Sequence, residues 1–328
     1  SYQPQVRTKT DTSRIMLDVI IALVPAMAVA VYQFGFRVLA LIVVSVLSCV
    51  FFEWGYRKLM KKPDSIGDLS ACVTGVLIAM VIPSGAPLWM PVVAAAFAMV
   101  VVKQLYGGIG KNFLNPALAS RAFLMASWPV IMTTWAVPKA LQGSIDATTM
   151  ATPLSYMKAG EALPDTLSTV NMFLGNVPGC IGEISALALL IGGAYLLIRK
   201  VISWRIPTAF IGTVAVLTFI FPMHGASNFN WMLTNLLSGG LLLGAFFMAT
   251  DYSSSPVTLN GQLLYGFGCG ALTVLIRYFG GFPEGVSYAI LIMNLCAWAI
   301  DKGTRGRQFG VTKEDLKAAK KAAKEAKA

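Results

Sequence analysis

The sequence predicts an all-α polytopic membrane protein with about ten transmembrane helices. Hydrophobic residues make up 56% of the chain and charged residues only 12%, and the mean hydropathy is +0.68. These values lie outside the usual range of soluble domains. Apolar runs of roughly 20 residues recur between glycine, proline or charged residues. The runs are continuous rather than alternating, so a membrane β-barrel is not expected.

The predicted spans form two halves of five, joined by the longest connection in the chain. Five spans per half would turn the second half upside down relative to the first, as in the inverted repeats of many transporters. The spans lie near residues 15–34, 36–55, 67–84, 88–103, 114–134, 180–199, 206–223, 231–250, 258–278 and 282–300. The chain is predicted to begin with an N-terminal segment (1–14) and a first membrane half (15–134). A loop (135–178), a second membrane half (179–300) and a basic tail (301–328) follow.

Basic residues set the predicted orientation, because Lys and Arg favour cytoplasmic loops. With both termini inside, 21 of the 26 basic residues lie on the cytoplasmic side and four lie outside, while Arg121 falls within a span. The sequence therefore predicts a multi-pass protein of the bacterial inner membrane with residues 135–178 extracytoplasmic. The net charge of +11 follows from this topology, and nucleic acid is not an expected partner.

Ionisable residues inside the apolar runs are candidates for cofactor sites or ion pathways, because such groups are costly in a bilayer. Arg121 is the foremost candidate. Snorkelling of the arginines, or a water-filled crevice, is the alternative explanation. The other ionisable residues are Asp18, Glu53, Glu183, Arg277 and Glu284. Lone cysteines and a single histidine predict no metal centre.

Polar interruptions at residues 106–123 and 247–258 occur once in each half. Irregular backbone at membrane depth is tolerated only where protein covers it or water reaches it. Interruptions in corresponding places therefore indicate a central site. On these grounds the chain is either a transporter or channel, or a membrane redox subunit.

Residues 146–154, Asp-Ala-Thr-Thr-Met-Ala-Thr-Pro-Leu, form a polar stretch of the outer loop. A Ser/Thr-rich loop ending in a proline turn is the plain interpretation. The stretch also resembles the flavinylation motif Asp-x-x-(Ser/Thr)-x-Ala-Thr, in which a transferase joins FMN through its phosphate to the last threonine.

Other segments extend the resemblance over essentially all the spans. Gly-Lys-Asn-Phe-Leu-Asn-Pro-Ala-Leu, Met-Ala-Thr-Asp and Phe-Pro-Glu-Gly-Val-Ser-Tyr are similar to one family of membrane redox subunits. That family comprises the D subunit of the Rnf (Rsx) ferredoxin:NAD oxidoreductase and the B subunit of the sodium-pumping NADH:quinone oxidoreductase. The short segment before the first span favours the Rnf protein.

The resemblance implies that Thr152 carries FMN as a phosphoester. Asp146, Thr149 and Ala151 would then be recognised by the FMN transferase, and Met150 stands where the motif usually has glycine. Pro153 should hold Thr152 out of helical geometry and leave its hydroxyl exposed.

The resemblance further implies a subunit that is not catalytic alone, within a pump that couples electron transfer between ferredoxin and NAD to movement of Na⁺ or H⁺. Its implied partners in the Rnf complex are the FMN-bearing G subunit and the membrane-embedded A and E subunits.

Related members resemble urea and ammonium transporters in fold and hold a second flavin, riboflavin, without a covalent bond. Arg121, Asn112 and Asn115 are the candidates to line the flavin sites, and Asp18, Asp251 and Glu183 could serve a cation path. The alternative function is a solute channel or transporter of the urea/ammonium type without flavin.

Overall fold

The computed structural model describes residues 11–142, 149–223, 225 and 227–305, and this part of the chain is helical without a β-sheet. The predicted all-α class is therefore confirmed. Two π-helical stretches, Phe97–Gln104 and Gly244–Met248, continue α4 and α12. The α-helices are α1 (Thr12–Phe34), α2 (Phe36–Leu59), α3 (Ser70–Met80), α4 (Trp89–Ala96), α5 (Pro116–Ser127), α6 (Pro129–Met132), α7 (Pro153–Ala159), α8 (Thr169–Leu174), α9 (Ala186–Ile198), α10 (Arg205–Ile220), α11 (Asn228–Leu237), α12 (Leu241–Leu243), α13 (Leu259–Phe279) and α14 (Val286–Thr304).

The lengths of the apolar helices indicate a multi-pass membrane protein. Among the described residues, α1, α2 and α13 are long and apolar enough to cross a bilayer. α11 and the helix from Leu241 to Met248 bend by 60° at a short break and together have the properties of a fourth span. α3, α9, α10 and α4 with its π-helical continuation are apolar but shorter.

Several predicted spans are helical over only part of their length. The run near 67–84 leaves helical geometry after Met80, and the run near 180–199 becomes helical only at Ala186. The run near 231–250 breaks at residues 238–240, Ser-Gly-Gly, because paired glycines weaken a helix. Hydropathy detects apolar runs but does not detect these breaks.

Two of these irregular segments pair with each other in the interior. The Gly182 N–H donates to Met80 O at 2.8 Å, and the Ile181 N–H donates to Ile82 O at 3.1 Å. Pro83 and Cys180 form an isolated antiparallel bridge. Buried backbone groups outside a helix are thereby satisfied, as they must be where water is excluded.

Small residues allow close approach between the helices of the bundle. A Cβ atom at Gly192 of α9 would lie 2.1 Å from Ala22 O of α1, and one at Gly266 of α13 would lie 2.8 Å from Ile206 O of α10. A side chain at either position would push the helices apart. These contacts fix α1 against α9 and α10 against α13, and so hold the framework around the interior site.

Candidate functional site

The stretch that carries the motif is docked on one end of the bundle. Residues 149–155, here called the attachment segment, lie against residues 135–136. Ala136 and Thr149 form an antiparallel bridge, and the Met150 N–H donates to Trp135 O at 3.1 Å. Asp146 lies outside the described residues. The attachment segment is therefore held by backbone contacts at Thr149 and Met150.

Thr152 is the N-cap residue of α7. Its backbone is extended, with φ −75° and ψ 157°, and Pro153 is the first helical residue. The expectation that Pro153 keeps Thr152 out of helical geometry is confirmed. Thr152 is half-buried, and its Oγ1 accepts from the Ser155 N–H at 3.3 Å and lies 2.9 Å from Ser155 Oγ. Its hydroxyl is therefore only partly exposed and is engaged in capping, whereas the sequence predicted an exposed hydroxyl.

A cavity of about 400 Å³ opens beside the attachment segment. One wall comes from the attachment segment, including Thr149 and Ala151, and another comes from α5, including Arg121. The structure therefore brings together three of the candidate site residues. The full lining is Arg121, Ala122, Met125, Thr133, Thr134, Trp135, Thr149, Met150, Ala151, Ser155, Phe282, Pro283, Glu284, Ser287 and Tyr288.

A smaller cavity of about 30 Å³ adjoins the first and reaches Thr152. The two cavities share Trp135, Pro283 and Glu284 in their walls. The small cavity is also lined by Glu183, so it joins the threonine to the interior carboxyl groups.

Four ionisable residues meet beneath these cavities, and we call them the charge cluster: Arg121, Glu183, Arg277 and Glu284. Arg121 forms an ion pair with Glu284 Oε2, and Glu284 Oε1 accepts from the Gly240 N–H at 2.6 Å. Glu183 Oε1 accepts from the Cys180 N–H at 2.8 Å. The cluster therefore ties α5 to the irregular segment before α9 and to the break between α11 and α12.

Arg277 satisfies backbone carbonyls that the break between α11 and α12 leaves free. Its Nη1 donates to Asn235 O at 2.6 Å, and its Nη2 donates to Ser238 O at 3.2 Å. Arg121 and Arg277 are each only 5% exposed. The snorkelling interpretation of these two arginines is therefore wrong, since both guanidinium groups point into the protein.

Asn112 and Asn115 lie at a different cavity, of about 100 Å³, whose walls also include Lys103 and Asp251. Asn115 is the N-cap of α5: its Oδ1 accepts from Ala117 N at 3.0 Å, and its Nδ2 donates to Met248 O at 3.2 Å. These two asparagines are not brought together with Thr152. Arg121, about one and a half turns further along α5, is the residue that faces the attachment segment.

The remaining acidic candidates have partners of their own. Asp18 accepts from Arg199 at 3.2 Å and from the Tyr195 hydroxyl at 2.8 Å. Glu53 is buried and pairs with Lys103 at 3.0 Å, with a further hydrogen bond from Gln104. Both are therefore structural ion pairs away from the attachment segment.

Sequence reasoning missed the aromatic wall of the large cavity. Trp135, Phe282 and Tyr288 line it, and the rings of Phe282 and Tyr288 lie 6.4 Å apart and nearly parallel. The available signal was the Phe-Pro-Glu-Gly-Val-Ser-Tyr segment, which carries two of these rings as well as Glu284.

Comparison with known proteins agrees with the resemblance noted from the sequence. The D subunit of the Na⁺-translocating ferredoxin:NAD⁺ oxidoreductase complex of Acetobacterium woodii is 51% identical over 318 residues, which cover 95% of this chain and 95% of that protein. The D subunit of the proton-translocating ferredoxin:NAD⁺ oxidoreductase complex of Clostridium ljungdahlii is 41% identical over 318 residues, covering 94% and 95%. The D subunit of the ion-translocating oxidoreductase complex of Actinobacillus succinogenes is 35% identical over 342 residues, covering 94% and 96%.

A family profile matches almost the whole chain, from residue 1 to residue 310. Since this match and the relatives each cover far more than half of the sequence, the chain belongs to the NQR2, RnfD, RnfE family.

Proposed function

We propose that the chain is a membrane subunit of a redox-driven ion pump and carries FMN as a phosphoester on Thr152. The relatives are D subunits of ion-translocating oxidoreductase complexes, two of them acting between ferredoxin and NAD⁺ by name. By this similarity the chain is one part of a larger enzyme and is not catalytic alone. One relative is named for Na⁺ and another for protons, so the proposal covers either ion.

The observation that supports the cofactor is the position of Thr152 beside a cavity of suitable size. Small-molecule sites typically have volumes of about 300–1,000 Å³ and mostly apolar walls with a few polar groups. The large cavity has about 400 Å³, aromatic rings from Trp135 and Tyr288, and the guanidinium of Arg121. These residues fit a flavin whose attachment point is Thr152.

FMN bound there would supply one- and two-electron transfer. The chain would orient and shield it, with Trp135 and Tyr288 offering flat apolar surfaces. Arg121 would place positive charge beside a group that gains negative charge on reduction, which favours the reduced form. Glu284 would hold Arg121 in position and offset part of that charge.

We further propose ten passes in two inverted halves, with both termini cytoplasmic and residues 135–178 outside the bacterial inner membrane. Contacts between elements support alternating directions. Arg37, at the start of α2, donates to the Ala86 carbonyl oxygen just before α4 begins. α2 and α4 therefore start on the same side, as every second span should when directions alternate. Asp18, near the start of α1, pairs with Arg199 at the end of α9. The first helices of the two halves thus run in opposite directions, as inverted repeats require.

The proposed partners are the FMN-bearing G subunit, the membrane-embedded A and E subunits, and the FMN transferase. An attachment segment on the outer face suits electron exchange with a flavin protein on the same face. Thr149 and Ala151 are exposed, as recognition by a transferase requires, and Asp146 completes the proposed recognition set.

The cavity that holds Asn112 and Asn115 is the proposed site of a second, non-covalent flavin of the riboflavin type. Its volume of about 100 Å³ is below the usual range of small-molecule sites, so its walls would have to move apart on binding. It lies at the opposite end of α5 from the attachment segment, and Ser70, Lys103 and Asp251 supply its polar wall. Both cavities contact α5, so one short helix would separate two flavins.

Intact mass of the denatured subunit tests the covalent cofactor. The subunit should be purified from cells that contain the transferase, beside Thr152→Ala and, as a control on the same outer segment, Thr169→Ala. We expect the mass of FMN on the unaltered protein and on Thr169→Ala, and its loss from Thr152→Ala. An unmodified mass despite active transferase would remove the covalent flavin and leave the solute channel as the better function.

A further inference from the structure

We propose that Glu183 and Glu284 form a carboxyl pair that binds one proton in the interior, carried on Oε2 of Glu183. The proposal begins with an unsatisfied atom. Glu183 is 6% exposed, and its Oε2 has no hydrogen-bond partner among the described residues. An ionised carboxylate oxygen that is buried without a hydrogen-bond donor is strongly unfavourable.

None of the neighbouring residues that the structure describes donates to Glu183 Oε2. Cys180 donates its backbone N–H to Oε1, the other oxygen. Arg277 directs both terminal nitrogens at Asn235 and Ser238, and its Nε makes no hydrogen bond to Glu183. Arg121 is paired with Glu284. The carboxyl of Glu284 borders the same space as Glu183 Oε2.

Gly240 makes the approach of the two carboxyl groups possible. A Cβ atom at Gly240 would lie 2.6 Å from Glu284 Oε1 and 3.2 Å from Glu183 Oε2, so both oxygens border the same space. The two side chains also line the small cavity together. Two ionised carboxylates would repel each other there, whereas a single proton turns the contact into a strong charge-assisted hydrogen bond.

Glu284 is suited to be the acceptor of this bond. Its two oxygens already receive Arg121 and the Gly240 N–H, which stabilise the ionised form. Glu183 has only one donor among the described residues, the Cys180 N–H. The proton therefore resides on Glu183.

The proton has a route to the attachment segment. The small cavity is lined by Thr152, Glu183 and Glu284, and its volume of about 30 Å³ is large enough to hold a water molecule. A protonated pair leaves the charge cluster with net positive charge, because Arg121 and Arg277 then face a single carboxylate. This charge would suit a phosphoester at Thr152, a consequence that rests on the proposed function, whereas the proton site itself does not.

Infrared difference spectroscopy of the purified full-length subunit between acidic and alkaline pH tests the site. We expect a protonated carboxylic acid band that shifts in heavy water and is absent from Glu183→Gln. Glu161→Gln, an exposed glutamate of the same outer region, should leave the band unchanged. A band that persists in Glu183→Gln, or no such band in the unaltered protein, would overturn the proposal.

Glu284→Gln provides a second test that does not depend on the folding of Glu183→Gln. Without its charged acceptor, the Glu183 carboxyl should form a weaker hydrogen bond, and its band should move to the frequency of that weaker bond. An unshifted band would contradict the sharing.

The pH dependence of the midpoint potential of the bound flavin, expected to flatten in Glu183→Gln, tests the link to the cofactor. Loss of flavin mass at Thr152 with an intact band would reject the proposed function and keep the proton site.

Discussion

Arg121 and Glu284 form an ion pair inside the protein although 163 residues separate them in the sequence. The side chain of Arg121 is 5% exposed and that of Glu284 is 16% exposed, so water screens the pair little. The pair joins α5 to the connection between α13 and α14. It also lies in the wall of the cavity beside the attachment segment, which links the packing of α5 against the α13–α14 connection to the candidate site.

Arg121→Met should strongly destabilise the protein, because it leaves the carboxylate of Glu284, whose side chain is only 16% exposed, without its partner. Removal of one member of a buried pair costs about 3–5 kcal/mol. Denaturant unfolding in detergent measures the free energy. Arg199→Met is the matched control: that arginine is 57% exposed, and its pair with Asp18 should contribute only about 0–1 kcal/mol. Equal losses of unfolding free energy in the two variants would show that the Arg121–Glu284 pair contributes no more than an exposed ion pair.

Gly240→Ala should destabilise the charge cluster through steric overlap. The added methyl group would lie 2.6 Å from Glu284 Oε1, so the carboxylate would have to leave the Gly240 N–H. We expect a loss of about 1–3 kcal/mol in the free energy of unfolding, as for other overpacked sites. Gly212→Ala in α10 meets no atom within 4 Å and should be neutral or stabilising. A neutral Gly240→Ala would show that the cluster tolerates the extra volume.

Asn115→Ala should weaken the start of α5, since the Ala117 and Leu118 N–H groups lose their cap. The expected cost is about 0.5–2 kcal/mol of unfolding free energy. Asn115→Asp keeps the accepting oxygen and should recover most of the cap, but it loses the donor to Met248 O. If Asp is as harmful as Ala, the bond to Met248 rather than the cap determines the stability at this position.

Ala122→Trp should fill the large cavity without altering Thr152. Ala122 lies in the cavity wall on α5, and the indole would occupy the volume proposed for the flavin ring. We expect FMN to remain attached by mass while its fluorescence becomes several-fold more sensitive to a soluble quencher such as iodide. Ala159→Trp, at the exposed end of α7, is the control. Equal quenching in all three proteins would locate the ring outside this cavity.

The sequence predicted the continuous helices well and the interior poorly. The predicted spans at 15–34 and 258–278 correspond closely to α1 and α13, because an uninterrupted apolar run leaves the backbone no alternative to a helix in lipid. Glu183, Gly240 and Glu284 were not grouped from the sequence, because they lie on segments far apart in the chain. These three residues come together because helices are interrupted inside the protein. Hydropathy does not show where in the membrane these interruptions lie. The motif indicated Thr152, but only the folded chain brings Arg121 to the same cavity wall as the attachment segment.

The pairing of residues 80–82 with residues 181–182 has a consequence for biogenesis. When the ribosome has delivered the predicted first half, which contains α1 to α6, to the bilayer, the carbonyl groups of Met80 and Ile82 still lack the N–H groups that satisfy them in the finished protein. Those donors, the N–H groups of Ile181 and Gly182, are synthesised about 100 residues later. The first half should therefore be an incomplete insertion intermediate, exposed to membrane quality-control proteases, and truncation before residue 181 should shorten its lifetime in the cell.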